Sequence, residues 1–188
     1  MSTSANARVA GVATDPENRE KDDFYPTPPY ATEQLLEREK FMGSIWEPAC
    51  GDGAISDVLK QAGYFVESTD LVDRGYGTPR VDFLMEYAAL APNVVTNPPY
   101  KYACDFARKA LDLSTGKVAF LVRLQFLESI ERRKLFSEYP PSRVWCFSER
   151  LTMQRGRQAT DKDATGMVAF IWIVWDKAHT GPTELGWI

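Results

Sequence analysis

The segment from residue 45 to residue 70 constrains the fold most, because it places a strand pattern, a glycine turn, a helix pattern and a second strand in succession. The apolar residues that begin at Ile45 predict a buried strand. Apolar residues at positions 55, 58, 59 and 62 recur at helical spacing, and residues 64–70 predict the next strand. Strands joined by a helix pair in parallel and need cover on both faces. The segment therefore predicts an α/β fold.

The rest of the chain continues this alternation. The patterns predict a helix over 102–113, a strand over 117–122, a helix over 129–139 and two strands over 143–147 and 167–175. Because no helix separates the last two strands, they are expected to form an antiparallel pair at one edge of the sheet. The predicted architecture is a mostly parallel, twisted sheet with helices on both faces.

The length and composition indicate one domain. The chain has 188 residues, of which 44% are hydrophobic, which suits a single compact core. Residues 1–22 contain few large apolar side chains and are expected to form a flexible arm, whereas residues 23–188 form the domain. About a dozen residues follow the last predicted strand, too few for a separate recognition domain. Without a signal peptide or an apolar run of about 18 residues, a cytoplasmic location is expected.

The glycine turn is typical of a ligand-binding loop. Gly51 and Gly53 allow positive φ angles and let the backbone approach a ligand closely. Glu47 and Asp52 would repel a pyrophosphate and favour a cationic ligand instead. Asp70 ends the next predicted strand, near the roughly 20-residue spacing at which a carboxylate meets ribose hydroxyls. An Asp that only forms a turn after the strand is the alternative.

A second distinctive run follows at residues 94–100, where a buried-strand pattern ends in Asn97, Pro98, Pro99 and Tyr100. The prolines remove backbone donors, so the Asn97 side chain and the Pro98 carbonyl are left as acceptors for the two hydrogens of an exocyclic amine. The Tyr100 ring offers a stacking face for the attached heterocycle. An ordinary turn at the end of a strand is the alternative interpretation.

Taken in order, these motifs resemble the amino-methyltransferases that use S-adenosylmethionine (SAM), and most closely the DNA N6-adenine methyltransferases. The resemblance spans residues 23 to about 175 and rests on four pieces: residues 23–28, the glycine loop with Asp70, the pair at 82–83 and the turn at 97–100. It implies the Rossmann-like methyltransferase fold, with SAM as the cofactor. It assigns catalysis to Asn97, Pro98, Pro99 and Tyr100. It assigns cofactor binding to Tyr25, Thr27, Pro28, Glu47, Ala49, Gly51, Gly53, Asp70, Leu71, Asp82 and Phe83.

The charge distribution favours nucleic acid as the substrate. The net charge is −4, but residues 123–160 carry eight basic side chains against four acidic ones, which predicts a positive face. Solvated helix charges are the alternative for part of this region. The predicted nucleic-acid contacts are Arg123, Arg150, Gln154, Arg155 and Arg157.

Several alternatives to DNA adenine remain at this point. The same turn occurs in families that methylate RNA bases or a protein glutamine amide, and a SAM-binding or nucleic-acid-binding module without catalysis is a further alternative. Selectivity is expected to come from loops or from a partner protein. The resemblance also favours a bacterial or phage source.

Three cysteines without a C-x-x-C spacing predict neither disulfides nor a zinc site. No other metal site is predicted.

Overall fold

The computed structural model describes residues 25–151 and 168–188, which form one eight-stranded sheet between two layers of helices. The strands are β1 (Ile45–Glu47), β2 (Val66–Asp70), β3 (Thr78–Pro79), β4 (Asn93–Thr96), β5 (Lys117–Arg123), β6 (Arg143–Cys146), β7 (Phe170–Asp176) and β8 (Glu184–Trp187). The helices are α1 (Pro29–Arg38), α2 (Ala54–Gln61), α3 (Ala103–Leu113) and α4 (Ile130–Glu138), with short 3-10 turns at Phe83–Met85, Tyr100–Tyr102 and Leu124–Leu127.

The strand order is β3-β2-β1-β4-β5-β7-β6-β8. β7 runs antiparallel to both of its neighbours, β5 and β6, and every other pair is parallel. The predicted mostly parallel α/β sheet with helices on both faces is therefore confirmed. The parallel strands bring the ends of β1, β2 and β4 to one edge, where ligands bind in open sheets of this kind.

Two apolar clusters cover the two faces of the sheet. One joins α3 and α4 to side chains such as Trp46, Phe120 and Trp175, and the other joins α1 and α2 to side chains such as Ile45 and Trp172. β4 is buried along its whole length, because a central parallel strand has helices on both sides. The apolar spacing that predicted α3 corresponds to its buried face.

The antiparallel strand differs from the prediction in its position. β6 and β7 pair in antiparallel fashion as expected, but β7 lies inside the sheet and β8 forms the edge, parallel to β6. β8 was not predicted, because it is four residues long and two of its apolar side chains, Leu185 and Trp187, are exposed. α1 and β3 were also not predicted, although proline at the first position of α1 is a recognised helix-start signal.

A buried ionic network lies at the opposite edge, where the parallel strands begin. Glu39, just after α1, is 1% exposed and accepts hydrogen bonds from Lys117 Nζ (2.7 Å), the Arg143 guanidinium and Trp145 Nε1 (3.0 Å). Arg143 also contacts Asp176 at 2.9 Å. Arg143 was counted within the positive nucleic-acid face, but here it connects β6 with β7 and α1.

Within the described ranges, none of the helices is long and apolar enough to cross a membrane.

Candidate functional site: a cleft at the carboxyl ends of the parallel strands

A cleft of about 690 Å³ opens where β1, β2 and β4 end. Its walls come from the N-terminal segment (residues 25–27), the glycine loop after β1, the loop after β2, the 3-10 turn at 83–85 and the turn after β4. The volume falls in the range of about 300–1,000 Å³ that is typical of small-molecule sites. The topology therefore brings together five segments of the chain in one cleft.

The glycine loop has the backbone conformation that the sequence predicted. Gly51 and Gly53 have φ angles of 57° and 87°, in the left-handed region that favours glycine. A Cβ at position 53 would also lie 2.3 Å from the Tyr76 ring, so Gly53 makes room for that ring. Tyr76 was not predicted to matter. Its hydroxyl donates to Asp57 at 2.8 Å and accepts from Lys60 at 2.9 Å, which holds the loop after β2 against α2.

Asp70 joins the end of β2 to the glycine loop. Its Oδ2 accepts a hydrogen bond from Gly51 N and its Oδ1 accepts one from Val72 N, both at 2.8 Å. The side chain is 9% exposed and lines the cleft. Each carboxylate oxygen has more than one lone pair, so these two bonds leave Asp70 able to accept hydrogen bonds from a ligand.

Glu47 is a buried carboxyl group in the cleft wall. It is 1% exposed and accepts a hydrogen bond from Ser56 Oγ, which lies 2.6 Å from Ser68 Oγ. Burial raises the pKa of Glu47 well above its usual range, and the nearby Asp70 charge acts in the same direction, while hydrogen bonds from Ser56 oppose the shift. A positively charged ligand group would stabilise the ionised form. The cleft wall thus favours a cation.

Asn97 has one satisfied and one unsatisfied side-chain atom. Its Nδ2 donates to Thr27 Oγ1 at 3.1 Å and to the Tyr25 carbonyl oxygen at 3.4 Å. A backbone carbonyl can only accept, so these contacts place the amide nitrogen toward residues 25–28. Oδ1 is buried and has no hydrogen-bond partner within the described residues, and Asn97 lines the cleft. A buried acceptor without a donor is costly unless a ligand supplies one.

Tyr100 lies beside the cleft rather than in its wall. Its ring stacks on Tyr25 with centroids 6.1 Å apart, and the Arg123 guanidinium lies 4.3 Å from its centroid. Phe170 is a third neighbour at 6.4 Å. The predicted stacking face of Tyr100 therefore already has protein neighbours, so a base that stacks there has to displace one of them.

The structure brings together most of the residues that were predicted to bind the cofactor. Those that line the cleft are Tyr25, Thr27, Glu47, Ala49, Gly51, Asp70, Leu71, Asp82 and Phe83, whereas Pro28 and Gly53 do not. Asp82 caps the 3-10 turn by accepting from Leu84 N at 3.0 Å. The Phe83 ring is 1% exposed and packs mainly on Trp46 and Phe106. Of the predicted catalytic residues, Asn97 and Pro99 line the cleft, and Pro98 and Tyr100 do not.

The predicted nucleic-acid contacts are only partly within the described residues. Arg123 lies next to Tyr100 in the turn after β4, and Arg150 is exposed. Gln154, Arg155 and Arg157 lie outside the described residues. Arg132, part of the predicted positive region, donates to the carbonyl oxygens of Gln125 and Glu128 and so supports its own loop.

Three cleft residues, Lys101, Tyr102 and Phe106, had no recognisable signal in the sequence. Phe106 falls on the apolar stripe of α3, so the helical pattern marks it only as a core residue.

Cys50 also lines the cleft, but burial raises its pKa to about 12, so its thiol stays protonated. In the described part of the chain, no three His, Cys, Asp or Glu side chains form a group that could hold a metal ion.

No protein-family model and no curated protein matches this sequence. Solved structures do match the fold. A "putative RNA methyltransferase" from Pyrococcus horikoshii is 13% identical, with a TM-score of 0.58 over 84% of this chain and 88% of that one. A modification subunit of a "putative type I restriction enzyme" from Vibrio vulnificus is 14% identical, with a TM-score of 0.58 over 85% of this chain and 45% of that one.

A third structure, of magnesium protoporphyrin IX methyltransferase from Synechocystis with bound SAM, is 15% identical, with a TM-score of 0.52 over 78% of this chain and 76% of that one. At identities this low, the likeness establishes the fold. The chain has the Rossmann-like fold of SAM-dependent methyltransferases.

Proposed function

We propose that this chain, which has the fold of SAM-dependent methyltransferases, transfers a methyl group from SAM to the exocyclic N6 amine of adenine in DNA, with short or relaxed sequence specificity. One observation carries the proposal: the buried Asn97 Oδ1 in the cleft wall has no donor in the described structure, while its Nδ2 is held by two acceptors. Such an oxygen suits an amine that donates a hydrogen bond.

The cleft fits the proposed cofactor in size, shape and charge. Its volume of about 690 Å³ suits a ligand of that size, and the left-handed glycines allow close backbone approach. In this proposal Asp70 accepts from the ribose hydroxyls, Asp82 and Phe83 contact the adenine ring, and Glu47 and residues 25–28 face the positively charged methionine end. When bound, SAM supplies an electrophilic methyl group.

The protein's own contribution is mainly to position and polarise the acceptor amine. An aromatic amine is a poor nucleophile because its lone pair is delocalised into the ring. Asn97 Oδ1 and the Pro98 carbonyl oxygen would accept its two hydrogens and stabilise the positive charge that develops on nitrogen. Tyr100 would stack on the base once one of the side chains that now contact its ring has moved away. In duplex DNA the base must flip out first, which costs about a few kcal/mol.

Methylation of an RNA base is the second candidate, and one observation favours it. A structurally similar protein carries the name of an RNA methyltransferase, although another belongs to a type I restriction enzyme. The glycine loop, in the form Glu-Pro-Ala-Cys-Gly-Asp-Gly, supports DNA adenine in our proposal. A partner protein that supplies sequence specificity is compatible with either substrate. A protein glutamine and a catalytically silent binding module rank below both.

Methyl transfer from labelled SAM to duplex DNA, single-stranded DNA, total RNA and protein, measured in parallel, tests the proposal. The nucleic-acid products are digested to nucleosides and identified by mass spectrometry. N6-methyladenine from DNA is the expected product. Label in RNA or protein instead of DNA would mean that the proposed substrate is wrong. Binding of SAM without transfer to any substrate would favour the silent module.

The cofactor site is tested separately by calorimetry with SAM. Asp70→Ala removes the proposed ribose acceptor and should weaken SAM binding about 10- to 150-fold, because a hydrogen bond to a charged group contributes about 1.5–3 kcal/mol. Asp70→Asn removes the charge but keeps a side-chain oxygen that can accept a hydrogen bond. It therefore separates the effect of the charge from the effect of the hydrogen bonds with the backbone. Asp73→Ala is the matched control, since Asp73 is exposed and its carboxylate accepts from Gly75 N within the same loop. Equal affinity in all variants would refute the ribose assignment.

A further inference from the structure

The N-terminal segment contacts both ends of the turn that follows β4. Thr27 Oγ1 and the Tyr25 carbonyl accept hydrogen bonds from Asn97 Nδ2, and the Tyr25 ring stacks on Tyr100. Thr27 and Asn97 are 70 positions apart in sequence. The segment therefore supports the catalytic turn directly, in addition to lining the cleft.

This segment is well anchored on its C-terminal side. The Pro28 carbonyl accepts from Ala31 N at 2.9 Å, which starts α1, and the Ala31 carbonyl accepts from Trp172 Nε1 at 2.8 Å. Trp172 is fully buried in the centre of β7, and Thr27 itself is 5% exposed. The Thr27 hydroxyl is thus connected to the core and can hold another side chain in place.

The orientation of the Asn97 amide decides what it offers to a substrate. Rotation of the amide by about 180° exchanges the oxygen and the NH₂ group. With the oxygen toward the cleft, the amide accepts from an amine, whereas with NH₂ toward the cleft it would present a donor to a donor. The Tyr25 carbonyl can only accept and so selects the orientation with nitrogen toward residues 25–28, and the shorter bond to Thr27 (3.1 Å against 3.4 Å) strengthens that orientation.

We propose that Thr27 is a positioning residue for Asn97: its hydroxyl oxygen accepts from the amide nitrogen and, together with the Tyr25 carbonyl, keeps Oδ1 directed to the acceptor amine. The inference rests on the proposed function, in which Asn97 Oδ1 is the acceptor. It differs from a cofactor contact, because it acts through Asn97 on the second substrate.

The test compares Thr27→Val, which keeps the shape and removes the hydroxyl, with Thr27→Ser, which keeps the hydroxyl. The first readout is the Asn97 side-chain amide signal in a ¹⁵N–¹H spectrum of the full chain without ligand, identified by its loss in Asn97→Ala. In Thr27→Val the signal should shift and its protons should exchange faster with solvent. In Thr27→Ser it should remain close to its wild-type position.

The second readout separates catalysis from cofactor binding. For Thr27→Val, kcat for methyl transfer at saturating SAM should fall about 3- to 10-fold, the usual effect of one neutral hydrogen bond, whatever the change in SAM affinity. Thr27→Ser should recover most of this loss. An unchanged amide signal in Thr27→Val, a weaker SAM affinity at unchanged kcat, or equal defects in the Val and Ser variants would each overturn the inference.

Failure of the proposed function gives a different pattern. If Asn97→Ala transfers methyl groups as well as the wild type, the acceptor role of Asn97 is wrong. If Asn97→Ala is inactive while Thr27→Val matches the wild type in both readouts, the acceptor role stands and only the role of Thr27 is wrong.

Discussion

The two ends of β4 carry asparagines with opposite hydrogen-bond states. At the amino end, the Asn93 amide donates to the carbonyl oxygens of Met42 (2.8 Å) and Ser44 (2.9 Å), and its Oδ1 accepts from Lys117 N (2.8 Å). At the carboxyl end, Asn97 Oδ1 has no partner in the described structure. The same residue type is therefore used for stability at one edge of the sheet and left available for a ligand at the other.

Two buried glutamates show the same contrast. Glu39 and Glu47 are each 1% exposed. Burial alone would raise both pKa values, but hydrogen bonds from Arg143, Lys117 and Trp145 hold the pKa of Glu39 below its usual range, whereas burial raises the pKa of Glu47 well above it. Two acids of equal exposed surface thus shift in opposite directions: cations contact Glu39, whereas Glu47 is more strongly desolvated and the hydrogen bonds that it accepts come from serine.

Glu39→Gln should produce the largest loss of stability. It leaves the charges of Lys117 and Arg143 without their buried partner, and breaking such a network costs about 3–5 kcal/mol. Urea denaturation measures the effect, with the exposed Glu37→Gln as the matched control. The rate of methyl transfer per folded molecule should stay the same as in the wild type. A loss below about 1 kcal/mol would mean that the amino-end network contributes little.

Asn97→Ala should produce the largest loss of activity. Removal of one preorganised group that stabilises developing charge typically costs about 100- to 1,000-fold in kcat. The unfolding free energy should fall by about 1–2 kcal/mol, because Ala removes the Nδ2 donor to Thr27 and Tyr25, while the deleted oxygen has no partner among the described residues. Initial rates with saturating SAM and urea denaturation measure the two effects. Rates equal to those of the wild type would mean that Asn97, like Asn93, has no role in catalysis.

Asn93→Ala should give the opposite result. The variant leaves the Met42 and Ser44 carbonyls and the Lys117 amide without partners, so stability should fall by about 2–3 kcal/mol. The rate per folded molecule should stay within about twofold of the wild type. Denaturation curves combined with rates below the transition test this. A selective loss of activity at unchanged stability would contradict a structural role.

Glu47→Gln should change stability in a way that depends on pH. Because the folded-state pKa of Glu47 is raised above 4.5, the folded protein keeps a proton that the unfolded chain releases. This contribution destabilises the wild type as pH rises above about 4.5, by at most about 1.4 kcal/mol per pH unit, and levels off above the folded-state pKa. Urea denaturation from pH 4 to pH 8 should show the Gln variant gaining relative stability over that window. A difference that is constant with pH would contradict the raised pKa.

The sequence alone was sufficient for features that depend on local pattern. The alternation of strands and helices follows from apolar spacing, and the left-handed Gly51 and Gly53 follow from the turn between β1 and α2. The grouping of Glu47, Asp70 and Asn97 at one edge also follows, because parallel strands end on the same side. Their individual roles in binding and catalysis remain predictions.

Tertiary structure alone decided the rest. It placed β7 inside the sheet and β8 at its edge, put Arg143 in the ionic network, and gave Asn93 a full set of partners while Asn97 Oδ1 has none among residues 25–151 and 168–188. Short-range pattern does not distinguish Asn93 from Asn97, nor Glu39 from Glu47. Hydrogen-bond partners and desolvation come from residues far away in sequence, as with Thr27 and Asn97, and these long-range contacts set both the pKa of a buried acid and the availability of a buried acceptor.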